Sequence, residues 1–445
     1  MKAPRIQGEP KTETMLYILY DICLFLAAVV IIPYHLYRSI RRGRPPALGE
    51  RLGFVTARKL APIAGRKTIW VHAVSVGETI AVRPLLIALR QRYPEYKIVL
   101  SNGTETGRGV AVRIPEVDLC IYFPFDFGFA VRRLLRRVNP ALILIVETEI
   151  WPNFLRAARL TGIPSVVVNG RISDSSFDGY LRFRWLFRRV LKEFAALCMQ
   201  SAEDARRITA IGAQGERVFD TGNLKYDIPA AIPLPDEVTA LRKSYRLPSD
   251  ARLLVAGSTH QGEEEVIIAS YMELIKAGRK LFLALAPRHP ERFREVADII
   301  VRAGLRFTRR SGIDDRPTPF LSGEVLLVDT IGELMSLYAV ADVAFVGGSL
   351  VPTGGHNILE PASLGVPVLF GPHMGNFRES AARLLACGGA LEVQNGEELT
   401  RALEQLLEDD AARKAMGGKG VRLLVDNSGA TVRHLEIIDR FLGER

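Results

Sequence analysis

Short apolar runs, each followed by a stretch with helical spacing, recur along most of this chain. The first series comprises TIWVHAV (68–74), KIVLS (97–101), DLCIYF (118–123), ALILIVE (141–147), SVVVN (165–169) and ALCMQ (196–200), and it ends near RVFDTGN. Strands alternating with helices predict βαβ units and a parallel sheet. A looser segment, YDIPAAIPLPDEVTALRKSYRLPSDA, then brings four prolines and few bulky residues, the composition of a domain boundary. The alternation restarts with RLLVAGS (252–258), KLFLALAP (280–287), EVLLVDT (324–330), DVAFVGG (342–348) and PVLFG (367–371). The pattern predicts two doubly wound α/β domains, over 45–226 and 251–445 with a terminal helix, joined by a linker over 227–250.

The two halves also begin alike. VHAVSVGETI and LVAGSTHQGEEEV each read strand, small-residue turn, Glu, helix. Ligands of open α/β sheets bind beyond the carboxyl ends of the strands, so two such sheets facing each other would make one cleft.

Ahead of the first domain, Met15–Tyr37 is apolar for about the length needed to cross a bilayer. Arg38, Arg41, Arg42 and Arg44 follow at once, and the positive-inside rule keeps them cytoplasmic. The expectation is a leader and single-pass inner-membrane anchor over 1–44, with both domains facing the cytoplasm. Asp21 interrupts the run, so a helix lying in the interface is an alternative. A cleaved signal peptide is another, though it would carry its positive cluster before the apolar run.

Composition narrows the partners. Hydrophobic residues make up 48% and charged residues 24%, a folded rather than disordered balance. The formal charge of +10 favours an acidic partner: nucleic acid, anionic lipid or a phosphorylated metabolite. VRRLLRRV (131–138) and YLRFRWLFRRVLKEF (180–194) interleave arginines with apolar residues at helical spacing. Each can pack on a sheet and hold its arginines in water, or meet anionic lipid. Cys23, Cys120, Cys198 and Cys387 are scattered without a CxxC pair and read as buried thiols in a reducing compartment. There is neither HExxH nor DxD, so no bound metal is expected.

Candidate chemistry lies at predicted strand ends. GGSLVPTGGHNILEPA follows DVAFVGG, and a helix beginning near His356 would aim its positive end at the same spot, as a phosphate requires. Asn357 and Glu360, three apart, fall on nearly one helix face and suit phosphate and ribose; a loop that merely turns the chain is the alternative. Arg288 in APRHPERF suits bidentate phosphate contact, and Gly332–Glu333 would open a helix where backbone groups can read a base edge. His260, His289 and His356, taken singly, read as hydrogen-bonding loop residues. Glu78 follows SVG at a strand end, where a carboxylate ionised at neutral pH can accept a proton or simply complement the helix dipole. Glu147 and Glu149 end an apolar strand, where one of them would orient a cation; spacing does not choose between them.

HAVSVGE, ETEIWPN, TGNLKYD, APRHPERF, IGEL and GGHNILEPA, in this order, resemble the bacterial Kdo transferases, which move 3-deoxy-D-manno-octulosonic acid (Kdo) from CMP-Kdo to a lipid A precursor. The likeness runs over about residues 15–425. It implies an inverting, metal-independent glycosyltransferase without cofactor. The implied fold is GT-B, two facing Rossmann-like domains with a central cleft, the first taking the lipid and the second CMP-Kdo. By motif, it places the general base at Glu78 and transition-state assistance at Glu147 and Lys225. CMP would lie against Pro287, Arg288, Ile331, Gly332, Glu333, Asn357, Ile358, Leu359 and Glu360. The implied partners are CMP-Kdo, the precursor lipid IVA and anionic inner-membrane lipids, and no nucleic acid. A polar leader, Met1–Thr14, and SNGTETG, where relatives more often carry several threonines, depart from the pattern. A GT-B enzyme using another nucleotide sugar and a non-catalytic basic membrane-surface or nucleic-acid-binding protein stay open as alternatives. The chain has neither a helix-turn-helix pattern nor the strand aromatics of an RNA binder.

Overall fold

A computed structural model describes residues 17–29, 33, 37, 47–228, 232–316 and 318–443. The chain forms two compact units, one running to Asp227 and taking up the residues from Ser428 onward, the other Ile228–Asn427.

The first unit is built on β1 (Thr68–His72), β2 (Lys97–Asn102), β3 (Leu119–Tyr122), β4 (Pro140–Val146), β5 (Ser165–Gly170), β6 (Ala196–Met199) and β7 (Val218–Asp220). They pair in parallel in the order β3-β2-β1-β4-β5-β6-β7. Successive side chains of a strand point to opposite faces. Trp70, Ile143 and Ile145 therefore join Phe154, Leu134 and Leu191 on one side, whereas Ile69, Val71, Leu142 and Leu144 join Leu85, Leu89 and Ile438 on the other. Both faces are covered, which is why the central strands are continuous apolar runs. Each fully buried large side chain contributes about 1.5–3 kcal/mol. Part of the second face is closed by the last helix, Ala430–Leu442, through Ile437, Ile438 and Leu442.

The second unit repeats the plan with β8 (Arg252–Thr259), β9 (Leu281–Pro287), β10 (Phe307–Arg309), β11 (Val325–Leu327), β12 (Val343–Val346), β13 (Val368–Phe370) and β14 (Ala390–Glu392). The order is β10-β11-β9-β8-β12-β13-β14, again parallel. Both halves are thus α/β with parallel sheets, as the alternation predicts. The edge strands β10 and β14, three residues each, have no counterpart among the predicted strands.

The membrane anchor expected over 15–37 is corrected. Among the described residues no helix is long and apolar enough to cross a membrane. Helical residues 17–29 lie instead against the first unit, held by polar bonds. Tyr17 Oη donates to Glu193 (3.3 Å), Tyr20 Oη to Asp126 (3.0 Å), and Asn153 Nδ2 to Asp21 (2.6 Å), while Phe25 packs on Phe127. Residues 1–16, 30–32 and 34–36, with Arg38, Arg41, Arg42 and Arg44, lie outside the described residues.

Two further expectations change. Only Cys198 is a buried thiol; Cys23 is exposed, and Cys120 and Cys387 are half-buried. The run over 180–194 is two helices, Asp174–Arg182 and Arg184–Leu191, broken at Phe183, and it leaves Phe183 (50%) and Trp185 (56%) open beside the arginines. By contrast, Gly128–Val138 buries Val131, Leu134, Leu135 and Val138 in the core.

Candidate active site

The strand order reverses between β1 and β4 in the first sheet and between β8 and β12 in the second, where β10 and β11 are also exchanged at the edge. Crossovers on the two sides of such a point leave opposite ways and open a crevice at the carboxyl ends of its strands. The candidate residues group around these two points.

Beyond β1, Ser75 caps the helix Val76–Ala81, its Oγ accepting from Glu78 N at 3.2 Å. Glu78 answers: Oε1 accepts from Ser75 Oγ (2.8 Å) and Oε2 from Val74 N (2.7 Å). This reciprocal arrangement resembles a capping box and fixes the carboxylate, which is 8% exposed. A carboxylate has about four lone-pair sites, so two bonds leave room for a proton.

Beyond β4, Glu147 adopts φ 59°, a left-handed conformation unusual for a residue with a side chain, and its N–H donates to Val168 O (2.9 Å). Two residues on, Glu149 has its pKa pushed up to about 7, first by burial and then by the charges of Glu78 and Glu147. Burial first, with the like charges of Glu78 and Glu147, thus favours the protonated form of Glu149 at the first switch point.

Lys225 belongs to the same sheet, in the turn Leu224–Tyr226 after β7. A polar ladder holds that turn: Gln200 Nε2 donates to Asn169 O, Asn223 Nδ2 to Gln200 Oε1, and Leu224 N to Asn169 Oδ1, each at 2.9 Å. The Lys225 ammonium has no partner among the described residues, so the ladder presents a cation that the fold itself does not use.

In the second unit, Pro287 ends β9 and Arg288 follows it, exposed, its N–H on Thr259 O (3.0 Å) and its guanidinium without an ion-pair partner among the described residues. Beyond β12, Asn357 Nδ2 donates to Glu360 (3.1 Å) and Asn357 Oδ1 accepts from Leu359 N (3.2 Å). The helix here is Leu359–Ser363 and begins three residues after His356, contrary to the expected start. Ile358 and Leu359 are core residues, 0% and 1% exposed, and the Leu359 N–H is already taken by Asn357 Oδ1. After β11, Ile331 is 81% exposed and Gly332 takes φ 94°. Glu333 accepts from Tyr245 Oη (3.1 Å) and Arg310 Nε (2.7 Å). Burial would raise its pKa, but these bonds and the Arg310 charge outweigh it and hold the carboxyl below the usual range.

The three histidines read singly from the sequence form a cluster. The His260 and His356 rings are nearly parallel with Nε2 atoms 2.8 Å apart, and His289 stands edge-on to His260 with centroids at 5.2 Å. Burial first, then His260, Arg288 and His289, push the His356 pKa down to about 4. His356 is therefore neutral at physiological pH and Arg288 is the permanent cation among them. Among the described residues no three His, Cys, Asp or Glu side chains are disposed as metal ligands.

Residues 46–228 match the family described as 3-deoxy-D-manno-octulosonic-acid transferase (kdotransferase). The 3-deoxy-D-manno-octulosonic acid transferase of Haemophilus influenzae is 36% identical over 397 residues, 89% of this chain and 91% of that one. The enzyme of the same name from Bordetella pertussis is 36% identical over 407 residues, 88% and 91% of the two chains. The chain belongs to the 3-deoxy-D-manno-octulosonic acid transferase family. A crystal structure of a glycosyltransferase from Rickettsia africae, 13% identical, superposes with a TM-score of 0.52 over 86% of this chain and all of that one. At that identity the likeness shows the fold alone: two parallel-sheet α/β domains of the glycosyltransferase kind.

Within this family fold, sequence reasoning missed two features. Spacing gave no sign that Glu149 is the carboxyl whose pKa burial and the neighbouring carboxylates raise. In the sequence Glu263, in the Glu-rich start of a helix, carries no role of its own, yet it is fully buried. Its carboxylate takes the N–H groups of Gly348, Ser349 and Leu350, the loop groups that the sequence offered to a phosphate.

Proposed function

We propose that this chain transfers Kdo from CMP-Kdo to a hydroxyl of a lipid A precursor, lipid IVA, in the building of the lipopolysaccharide core. The names of its relatives supply the sugar. The observation that carries the chemistry is the carboxylate group at the first switch point, with Glu78 held nearly buried and oriented.

In this reading Glu78 accepts the acceptor hydroxyl's proton as the oxygen bonds to the anomeric carbon of Kdo, and the electrons of the breaking bond leave with the CMP phosphate. The displacement is direct and inverts the anomeric configuration. General-base assistance of this kind contributes about 10²- to 10⁴-fold. Negative charge gathering on the departing phosphate is met by the cations of Arg288 and Lys225. Glu147 lends further transition-state support from its strained position. Pro287, Ile331, Gly332, Glu333 and the Asn357–Glu360 turn hold the nucleotide, the last through the side chain of Asn357.

The acceptor reading is supported by Phe183 and Trp185, exposed beside Arg184, Arg188 and Arg189, and by the open apolar face of residues 17–29, with Ile18, Ile22 and Leu26. Such a surface suits acyl chains and phosphates, those of the acceptor and of anionic lipids around it.

Incubating purified protein with CMP-Kdo and lipid IVA should add the mass of Kdo to the lipid, and CMP should inhibit where UDP does not. Protection by UDP and not by CMP would point to another nucleotide sugar.

A further inference from the structure

Glu263 opens the helix Glu263–Lys276, where a carboxylate ordinarily faces water and complements the helix dipole. Here its side chain turns inward, and four backbone N–H groups converge on it. Oε2 accepts from His260 (2.9 Å) and Gly348 (2.7 Å); Oε1 accepts from Ser349 and Leu350 (2.9 Å each). Charge-assisted bonds of this number account for a buried carboxylate without a paired cation. Successive N–H groups such as those of 348–350 make a concave anion site, and in this protein its occupant is the protein's own side chain. The fit is close: a Cβ at Gly347 would come within 2.9 Å of Glu263 Oε2.

Two parts of the histidine cluster hang from this carboxylate. One is His260, through its own N–H. The other is the loop after β12. Gly348 O accepts from Gly355 N (2.6 Å) and Thr353 Oγ1 (2.8 Å), which folds the loop back and lays the His356 ring on Gly348. A Cβ at Gly348 would stand 2.9 Å from His356 Cδ2. The two rings then meet Nε2 to Nε2, a contact that needs one N–H donor and one bare acceptor, so the pair shares a proton.

We propose that Glu263 is the positioning residue of the nucleotide half of the site: by filling the loop's anion nest it sets His260 and His356 against each other beside Arg288. A consequence is that the donor's phosphate is met by side chains and not by the glycine loop. The inference rests on the CMP-sugar reading above. The charged and titratable groups facing His260 are Glu263 on its own segment, Arg288, His289 and Arg292 after β9, and His356 after β12.

The test is Glu263→Gln in the full chain. The amide keeps one acceptor but turns N–H groups toward two N–H donors. CMP affinity, measured by calorimetry, should fall by about tenfold or more. KM for CMP-Kdo should rise while KM for the lipid acceptor holds. Followed by NMR, the His260 imidazole should titrate at lower pH, because Glu263 is the charge that favours its protonated form. Unchanged CMP affinity with an unmoved His260 titration overturns the proposal. If the wild-type chain binds no CMP, the donor reading fails, and the His260 titration alone then decides whether Glu263 sets that ring. Should Glu263→Gln fail to fold, Glu263→Asp takes its place. A rise in donor KM alone supports the proposal, and equal rises for donor and acceptor overturn it.

Discussion

The backbone N–H of Asn169, at the end of β5, donates to Nε2 of His434 on the last helix at 2.9 Å. The other ring nitrogen, Nδ1, donates to Ala430 O (2.7 Å), so the partners fix the tautomer. Asn169 in turn carries the ladder that positions Lys225. His434→Ala should leave a buried donor and a cavity and cost about 2–4 kcal/mol of unfolding free energy, measured by urea denaturation.

The same ring makes stability depend on pH. Burial pushes the His434 pKa down to about 4 and that of His72 to about 3. Unfolded histidine titrates near 6.5, about that value in model peptides. Between that pH and the folded values the unfolded chain binds more protons, so stability falls as the pH drops. Tm should decline from pH 6.5 toward 4, and His434→Gln should flatten part of that slope.

Glu149 has the opposite sign. Its folded pKa, about 7, lies above the ordinary 4.5. The folded chain therefore holds the extra proton between those values, and this contribution is lost as the pH rises through 7. Glu149→Gln should gain Tm relative to wild type from pH 5 to 8, read by calorimetry across that series. A constant difference would mean that folding does not raise the Glu149 pKa.

Glu78→Gln preserves the shape of the cap while removing the proton acceptor. Transfer should fall by about 10²- to 10⁴-fold. CMP affinity should stay at the wild-type value, since the CMP residues belong to the other unit. A parallel loss of both would mark Glu78 as structural.

Arg288→Ala should weaken CMP binding by about 1.5–3 kcal/mol, the range for a hydrogen bond to a charged group. Lys225→Met should instead lower kcat with donor KM little changed. Steady-state kinetics on the two variants separates ground-state binding from help to the leaving group.

How far the sequence could be read follows from where each residue's neighbours lie. Leu142–Val146 announces a central strand because both faces of the sheet are covered, so each position is apolar and no distant partner is needed to see it. The edge strands Phe307–Arg309 and Ala390–Glu392 are short and end on charged residues, and their existence is decided by the neighbouring strand. Residues 15–37 read as a span by hydropathy, yet Tyr17, Tyr20 and Asp21 have partners more than a hundred positions away, on Glu193, Asp126 and Asn153. Glu263 escaped for the same reason, its acceptors being filled from residues 348–350. Motifs that work locally, such as the Ser75–Glu78 cap, were open to reading; those completed by a remote loop were not.

The return of Ala430–Leu442 to the first unit has a consequence for biosynthesis. As the ribosome extends the chain, the half made earliest must wait with Leu142, Leu144 and Val166 incompletely covered, while Ile228–Asn427 emerges with all its own strands. The portion translated first thus becomes whole only after the second unit has been made, its sheet until then lacking part of one cover.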